Sequence, residues 1–282
     1  MLKYNTPQEL FTAICNKIRD KTNSNELINH QDIPDKIDKL TNNDIKLFID
    51  SAIQGENTIH YSFNNTTITK INSRIFATTN LTNIDLPECT SIGEYAFSNC
   101  TSLTTVDLPE CTSIDNYAFE ECNSLTTVDL PECTSIGNYA FAGCSNLTTI
   151  NLPECSSIGN NAFHGCNNLT TIDLPECTSI GNYAFHGCTS LTTVDLPECT
   201  SIGDYAFGYC TNLTTVIFGA DQVAHIEYAF VNSSIANGTG YIYVPDNLVD
   251  SYKTATNWST YANQFKPISE LPSELKEEYG YE

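Results

Sequence analysis

Cysteine is the residue type in this chain that most invites a chemical reading. Twelve of the thirteen, Cys89, Cys100, Cys111, Cys122, Cys133, Cys144, Cys155, Cys166, Cys177, Cys188, Cys199 and Cys210, recur every 11 residues. Cysteines that hold zinc come in short pairs, and this even interval supplies none, so neither a metal nor another cofactor is expected. Leucines at Leu81, Leu103, Leu125, Leu147, Leu169, Leu191 and Leu213 keep an interval of 22, twice that of the cysteines. Successive cysteines therefore fall on opposite sides of a repeating unit, and equivalent ones stack into two columns. Stacked strands set backbones about 4.8 Å apart, and parallel side chains hold their β-carbons near that separation, beyond the roughly 3.8 Å of a relaxed disulfide. The expectation is twelve reduced thiols used as small core residues, with Cys15 a core residue by the same argument.

Carboxylates form the second pattern. Thr105, Thr127, Thr149, Thr171 and Thr193 repeat at one position with Asn83 at their head, and Asp85, Asp107, Asp129, Asn151, Asp173 and Asp195 repeat two residues later. Glu88, Glu110, Glu132, Glu154, Glu176 and Glu198 make a third column. Carboxylates about 5 Å apart repel by roughly 1 kcal/mol in water before salt screens them. Such a face is either a solvated surface multiplied by duplication, or a site for a basic partner or for calcium. The Thr positions from 105 to 193 and the Asp or Asn positions from 107 to 195 are the candidate binding residues. His164 and His186 occupy matching positions where other units carry Ser98, Glu120, Ala142 and Gly208, which points to an exposed corner. An acid–base pair needs a carboxylate or nucleophile held in fixed relation to it, and the nearby Cys166 and Cys188 face inward. No nucleophile elbow, phosphate loop or dinucleotide fingerprint is present. No catalytic residue is assigned, and the chain is read as non-enzymatic.

The elements that position these residues follow from the same repeat, which reads close to LTTVDLPECTSIGNYAFAGCSN. A Leu-Pro pair in every unit, from Leu86-Pro87 to Leu196-Pro197, excludes a continuous helix because proline removes a backbone donor and clashes with the preceding turn. In Leu103–Leu108 the two-residue alternation puts Val106 and Leu108 inward and Thr105 and Asp107 outward, a half-buried strand. Pro109 ends the strand, Ile114 is a second inward anchor, and Tyr117-Ala118-Phe119 turns the chain and sends a ring inward. A coil of 22 residues cannot bury its apolar side alone, so neighbours must stack into a solenoid with a parallel ladder of strands.

The inward Leu, Val, Leu, Ile and Phe spacing resembles the leucine-rich repeat, and IGxxAF followed by Gly-Cys or Asn-Cys and then Leu is similar to the BspA-type subclass. The resemblance covers about half of the chain, and Glu110-Cys111-Thr112 stands where a slightly longer link is expected. It implies a right-handed solenoid of α/β, strand-rich class and a role as an adhesive or recognition surface. The stretch FTAICNKIRDKTNSNELINHQDIPDKI resembles an N-terminal module of tail and structural proteins of bacteriophages and prophages of Firmicutes. The ending YVPDNLVDSYKTATNWSTYANQFKPISE resembles that of repeat proteins from the same genomes.

The ends differ from the array. Thr6-Pro7-Gln8-Glu9 is a capping box, and Leu10, Phe11, Ile14 and Ile18 keep helical spacing. Residues 1–43 are expected to form a small helical module and 44–80 an N-terminal cap with a degenerate repeat. Regular repeats fill 81–216. A degenerate repeat and a C-terminal cap fill 217–268, with a closing strand near Tyr241 and a helix-like segment from Asp246 to Phe265. An acidic, loose tail occupies 269–282.

Composition narrows the partners. With 34 acidic and 12 basic residues the chain carries a formal charge of -22, and no Lys or Arg lies between Ile75 and Tyr252. Nucleic acid and anionic membranes recruit clustered positive charge, so neither is expected, and no apolar run reaches the roughly 20 residues that span a bilayer. The start lacks a basic end followed by an apolar stretch, which gives the expectation of cytoplasmic synthesis without a signal peptide and deployment on a virion or cell surface. Expected partners are a protein or carbohydrate on a cell surface and, through residues 1–43, other virion proteins. A cell-surface adhesin is the alternative, followed by a hydrolase of surface polymers.

Overall fold

A computed structural model describes residues 58–60, 69–74, 76–77 and 81–281. The helical module expected over 1–43, and most of 44–80, lie outside them. The described residues wind into a parallel β-solenoid with two sheets. The first has ten strands: Thr58–His60, Asn83–Asp85, Thr105–Asp107, Thr127–Asp129, Thr149–Asn151, Thr171–Asp173, Thr193–Leu196, Thr215–Phe218, Tyr241–Val244 and Phe265–Pro267. The second has eight two-residue strands, from Lys70–Ile71 through the Ser-Ile pairs to His225–Ile226. Register is strict: Thr105 pairs with Thr127 and Asp107 with Asp129, so each sequence column is a column in space.

The strict register follows from side-chain requirements that every coil repeats. Val106, Leu108, Ile114, Phe119 and Leu125 are buried, each contributing roughly 1.5–3 kcal/mol by leaving water. Phenylalanine rings from Phe76 to Phe230 stack down the core with centroids 5.1 to 5.6 Å apart. The corner before each ring needs a left-handed residue, and Tyr117 (φ 59°) and Tyr139 (φ 58°) supply it. Gly137 is required by close approach of coils, since a β-carbon there would stand 2.6 Å from the Asn116 nitrogen. Asparagines lock the stack beside it: Asn138 N donates to Asn116 Oδ1 and Asn160 N to Asn138 Oδ1, both at 2.7 Å.

The C-terminal cap departs from expectation. The helix-like segment from Asp246 contains only one short helix, α1 (Val249–Thr254), flanked by 3-10 turns. The helix ends at Thr254 with Ala255 extended, and Asn257, before the second 3-10 turn, takes φ 67° and donates from Nδ2 to the Ile226 carbonyl at 2.9 Å. The strand Tyr241–Val244 forms where a closing strand is expected, but Phe265–Pro267 pairs beyond it and is the terminal strand. Pro267 lacks an N–H, which suits an edge. Trp258 seals the core beneath, edge-on to Phe218 at 5.5 Å and to Tyr252 at 5.2 Å, with Nε1 donating to the Ala224 carbonyl at 2.6 Å.

The tail is not loose. A second helix, α2 (Ser273–Tyr279), ends on Gly280 in the left-handed conformation (φ 75°). Leu271 is buried, and with Ile268, Leu275, Tyr279 and Tyr281 it packs on Ile217 and Tyr243.

Candidate functional site

The candidate binding residues stand on the outward face of the ten-stranded sheet, and the tail divides that face in two. Thr105, Asp107, Thr127, Asp129, Thr149, Asn151, Thr171 and Asp173 are exposed. Their columns are internally bonded: Asn151 Nδ2 donates to Asp129 Oδ1 at 2.9 Å, and Thr105 Oγ1 to Asn83 Oδ1 at 2.7 Å. The neighbouring Thr104 and Thr148 serve the scaffold instead, donating to the Thr82 and Thr126 carbonyls of the preceding coil at 2.9 and 3.0 Å.

Asp195 is a correction. It is only 5% exposed, because the tail lies over it and Tyr281 Oη donates to its Oδ1 at 2.8 Å. Burial pushes its carboxyl up to about 6, Asp173 adds to the rise, and the Tyr281 bond opposes it. Thr193 is likewise half-buried. Asp173, at the boundary, is raised by loss of hydration and then by Glu278. Burial, followed by Glu278, lifts Tyr279 to about 12.

Where the tail stops, a groove of about 530 Å³ remains over the open strands. Its floor carries Thr127, Asp129, Thr149, Asn151, Thr171 and Asp173, and Glu278 and Tyr279 of α2 line it too. Sequence reasoning missed Glu278, Tyr279 and Tyr281. The signals for them were the apolar spacing Leu271, Leu275 and Tyr279, and the replacement of the aspartate column by Ile217 and Tyr243.

The repeat cysteines from Cys89 to Cys210 are all buried reduced thiols, in two columns with distinct bonds. Cys111 and its equivalents donate to the carbonyl two residues on, at 3.3 to 3.5 Å. Cys122 and its equivalents donate to a phenylalanine carbonyl of the preceding coil, at 3.0 to 3.3 Å. Burial pushes Cys111, Cys155 and Cys210 up to about 12, which suppresses the thiolate and hence nucleophilic chemistry. Cys15 lies outside the described residues. His164 is exposed and His186 half-buried, their rings stacked at 5.1 Å. Among the described residues no group of three His, Cys, Asp or Glu could hold a metal ion, and no helix is long and apolar enough to cross a membrane.

An outward Thr/Asp ladder over a leucine, isoleucine and phenylalanine core, with a 22-residue period, defines a leucine-rich-repeat solenoid. The model of the BspA type leucine rich repeat region matches residues 16–146, 69–176 and 134–252, and the chain belongs to that family. Among solved structures, the T. pallidum leucine rich repeat protein TpLRR is 26% identical, with a TM-score of 0.53 over 62% of this chain and 86% of that one. A leucine-rich repeat protein from Bacteroides ovatus is 22% identical, with a TM-score of 0.38 over 71% of this chain and 69% of its own. A leucine rich cell surface protein from Faecalibacterium prausnitzii is 19% identical, with a TM-score of 0.29 over 74% of this chain and 86% of its own. No curated protein sequence matches the chain.

Proposed function

We propose that the protein is a non-enzymatic recognition module that holds a cell-surface protein or carbohydrate on the open half of its strand face. The observation that carries this reading is the groove lined by threonine hydroxyls, the Asp129 and Asp173 carboxylates and Tyr279. The surface offers acceptors, hydroxyls and one aromatic wall without a Lys or Arg on the repeats, so a neutral or cationic ligand suits it and an anionic one does not. The test is binding to isolated cell-wall material by the full chain and by the isosteric double variant Asp129→Asn/Asp173→Asn. Weaker binding with unchanged or raised stability supports the reading. Unchanged binding moves the site elsewhere. A steep loss with salt identifies a basic protein, and indifference to salt a sugar.

Attachment is a separate proposal. The resemblance of residues 1–43 to phage tail modules supports docking to a virion, whereas the family suits a cell-surface adhesin equally. Recovery of the chain with purified phage particles decides for the first, and recovery with the cell envelope for the second.

A further inference from the structure

The corner of each coil carries a tyrosine ladder away from the strand face, and it ends in an exposed aromatic patch. Tyr95, Tyr117 and Tyr139 stack with centroids 4.5 and 4.8 Å apart. Asn161 interrupts the column, and it resumes with Tyr183 and Tyr205 at 5.1 Å, then Tyr228 at 6.1 Å. A second row joins there: His186 packs against Tyr183 at 5.5 Å and Tyr209 at 5.1 Å, and stacks on His164. Tyr209 is 49% and Tyr228 59% exposed.

The ladder already shows what it holds. At its other end the Arg74 guanidinium sits 4.5 Å over the Tyr95 ring. Elsewhere Lys266 Nζ lies 3.9 Å over Tyr241, so two of the five described Lys and Arg side chains rest on a tyrosine face. Among the described residues the cations seen on ring faces are at Tyr95 and Tyr241 and not at this end, the repeats themselves carry no Lys or Arg between Ile75 and Tyr252, and Asp204 and Glu227 directly precede Tyr205 and Tyr228. Ring faces attract a cation through their quadrupole, and nearby carboxylates add to that attraction. We infer that the Tyr183–Tyr205–Tyr209–Tyr228 patch is a second interaction surface, which takes arginine or lysine side chains of a basic protein segment. Arginine fits better than lysine, since its planar, weakly hydrated group can stack on a ring and Arg74 already lies over one.

The repeat itself supplies variants that keep the backbone. These corners are left-handed, with φ 56° at Tyr205, 51° at Tyr228 and 59° at Tyr209, and asparagine stands at the equivalent of the first two (Asn161, φ 57°) and glycine at that of the third (Gly187, φ 77°). The triple variant Tyr205→Asn/Tyr228→Asn/Tyr209→Gly is therefore compared with Tyr205→Phe/Tyr228→Phe/Tyr209→Phe, titrating the full chain with oligoarginine and with oligolysine of equal length. The expected result is about tenfold weaker oligoarginine binding by the Asn/Gly variant, retention by the Phe variant, and weaker binding of oligolysine than of oligoarginine throughout. Unchanged binding by the Asn/Gly variant overturns the inference. So does an equal loss in the Phe variant, or a loss that instead follows Asp129→Asn/Asp173→Asn on the strand face. Binding of a neutral oligosaccharide to the patch in preference to the peptides overturns it as well.

Discussion

The open and covered halves of the strand face share one backbone ladder and differ most in the aspartate column. From Asp107 to Asp173 that column is polar and solvated, whereas beyond Asp195 it continues as Ile217 and Tyr243, on which Leu271 and its neighbours pack. Ile217 and Tyr243 in place of carboxylates turn a surface of mutual repulsion into a seat for the apolar side chains of the chain's own tail. Asp195 stands at the seam and shows the conflict: it keeps the aspartate of the repeat but loses its water to the tail. The solenoid thus fixes where side chains stand, and a local change of residue type decides whether a stretch of the face stays available.

The severest way to break the comparison is to remove residues 240–282. Phe230, which packs edge-on to Tyr261 at 5.7 Å and against Trp258, and the Thr215–Phe218 strand edge then meet solvent. Aggregation in place of a monomer peak by light scattering is the expected outcome. Trp258→Ala acts on the same core at about 3–5 kcal/mol, read by denaturant melts.

A milder change removes the cover alone. Leu271→Ala should cost about 2 kcal/mol and free the tail, seen as proteolytic cleavage after Lys276 that the parent chain resists. Binding to the open half should persist in this variant if the tail is only one wall of the groove.

Acidity sharpens the seam. Burial raises Asp195 to about 6, with Asp173 adding to the rise and the Tyr281 hydroxyl opposing it, while burial, followed by Asp195 and then Glu198, raises Tyr281. A carboxyl raised in the docked state binds its proton more tightly there than when undocked. Its contribution to docking is full below the undocked value near 3.8 and is lost as pH rises through about 6. Protection of the tail against protease should therefore be greater at pH 5 than at pH 8, and Asp195→Asn should shrink the difference to the share of Asp173, which burial and then Glu278 of the tail also raise. A tail equally protected at both values in the parent would remove Asp195 from its control.

The smallest effect is expected from the thiols, which are alike in both halves. Cys155→Ala should cost about 1 kcal/mol by loss of a buried sulfur and its bond to the Ser157 carbonyl. Alkylation should modify the repeat cysteines only after denaturation. Rapid native modification confined to one half would reveal a difference between the halves that their common burial does not contain.

Much of the fold was legible because periodicity compels it: the interval of 22, the alternation in Thr105–Asp107 and the anchor at Ile114 lead to both sheets. The corner at Tyr117 was legible as a turn, though its left-handed backbone follows from the stacking of coils and not from tyrosine's own preference. The tail was not legible as a docked element. Glu270, Glu274, Glu277 and Glu278 give it the composition of a solvated segment, and its helical face of Leu271, Leu275 and Tyr279 has meaning only once Ile217 and Tyr243 stand side by side. The two are brought together by register, which no local pattern reports. For the same reason Asp195 looked equivalent to Asp107, although its surroundings are supplied by residues 86 positions away.

Carboxyl footprinting of the native chain by carbodiimide and an amine nucleophile tests the division of the face most directly. Asp107 and Asp129 should label quickly and Asp195 slowly, and removal of residues 271–282 should bring Asp195 to the rate of Asp129. Labelling of Asp195 as fast as Asp129 in the intact chain would contradict the account, because the tail would then leave the strand face open along its whole length.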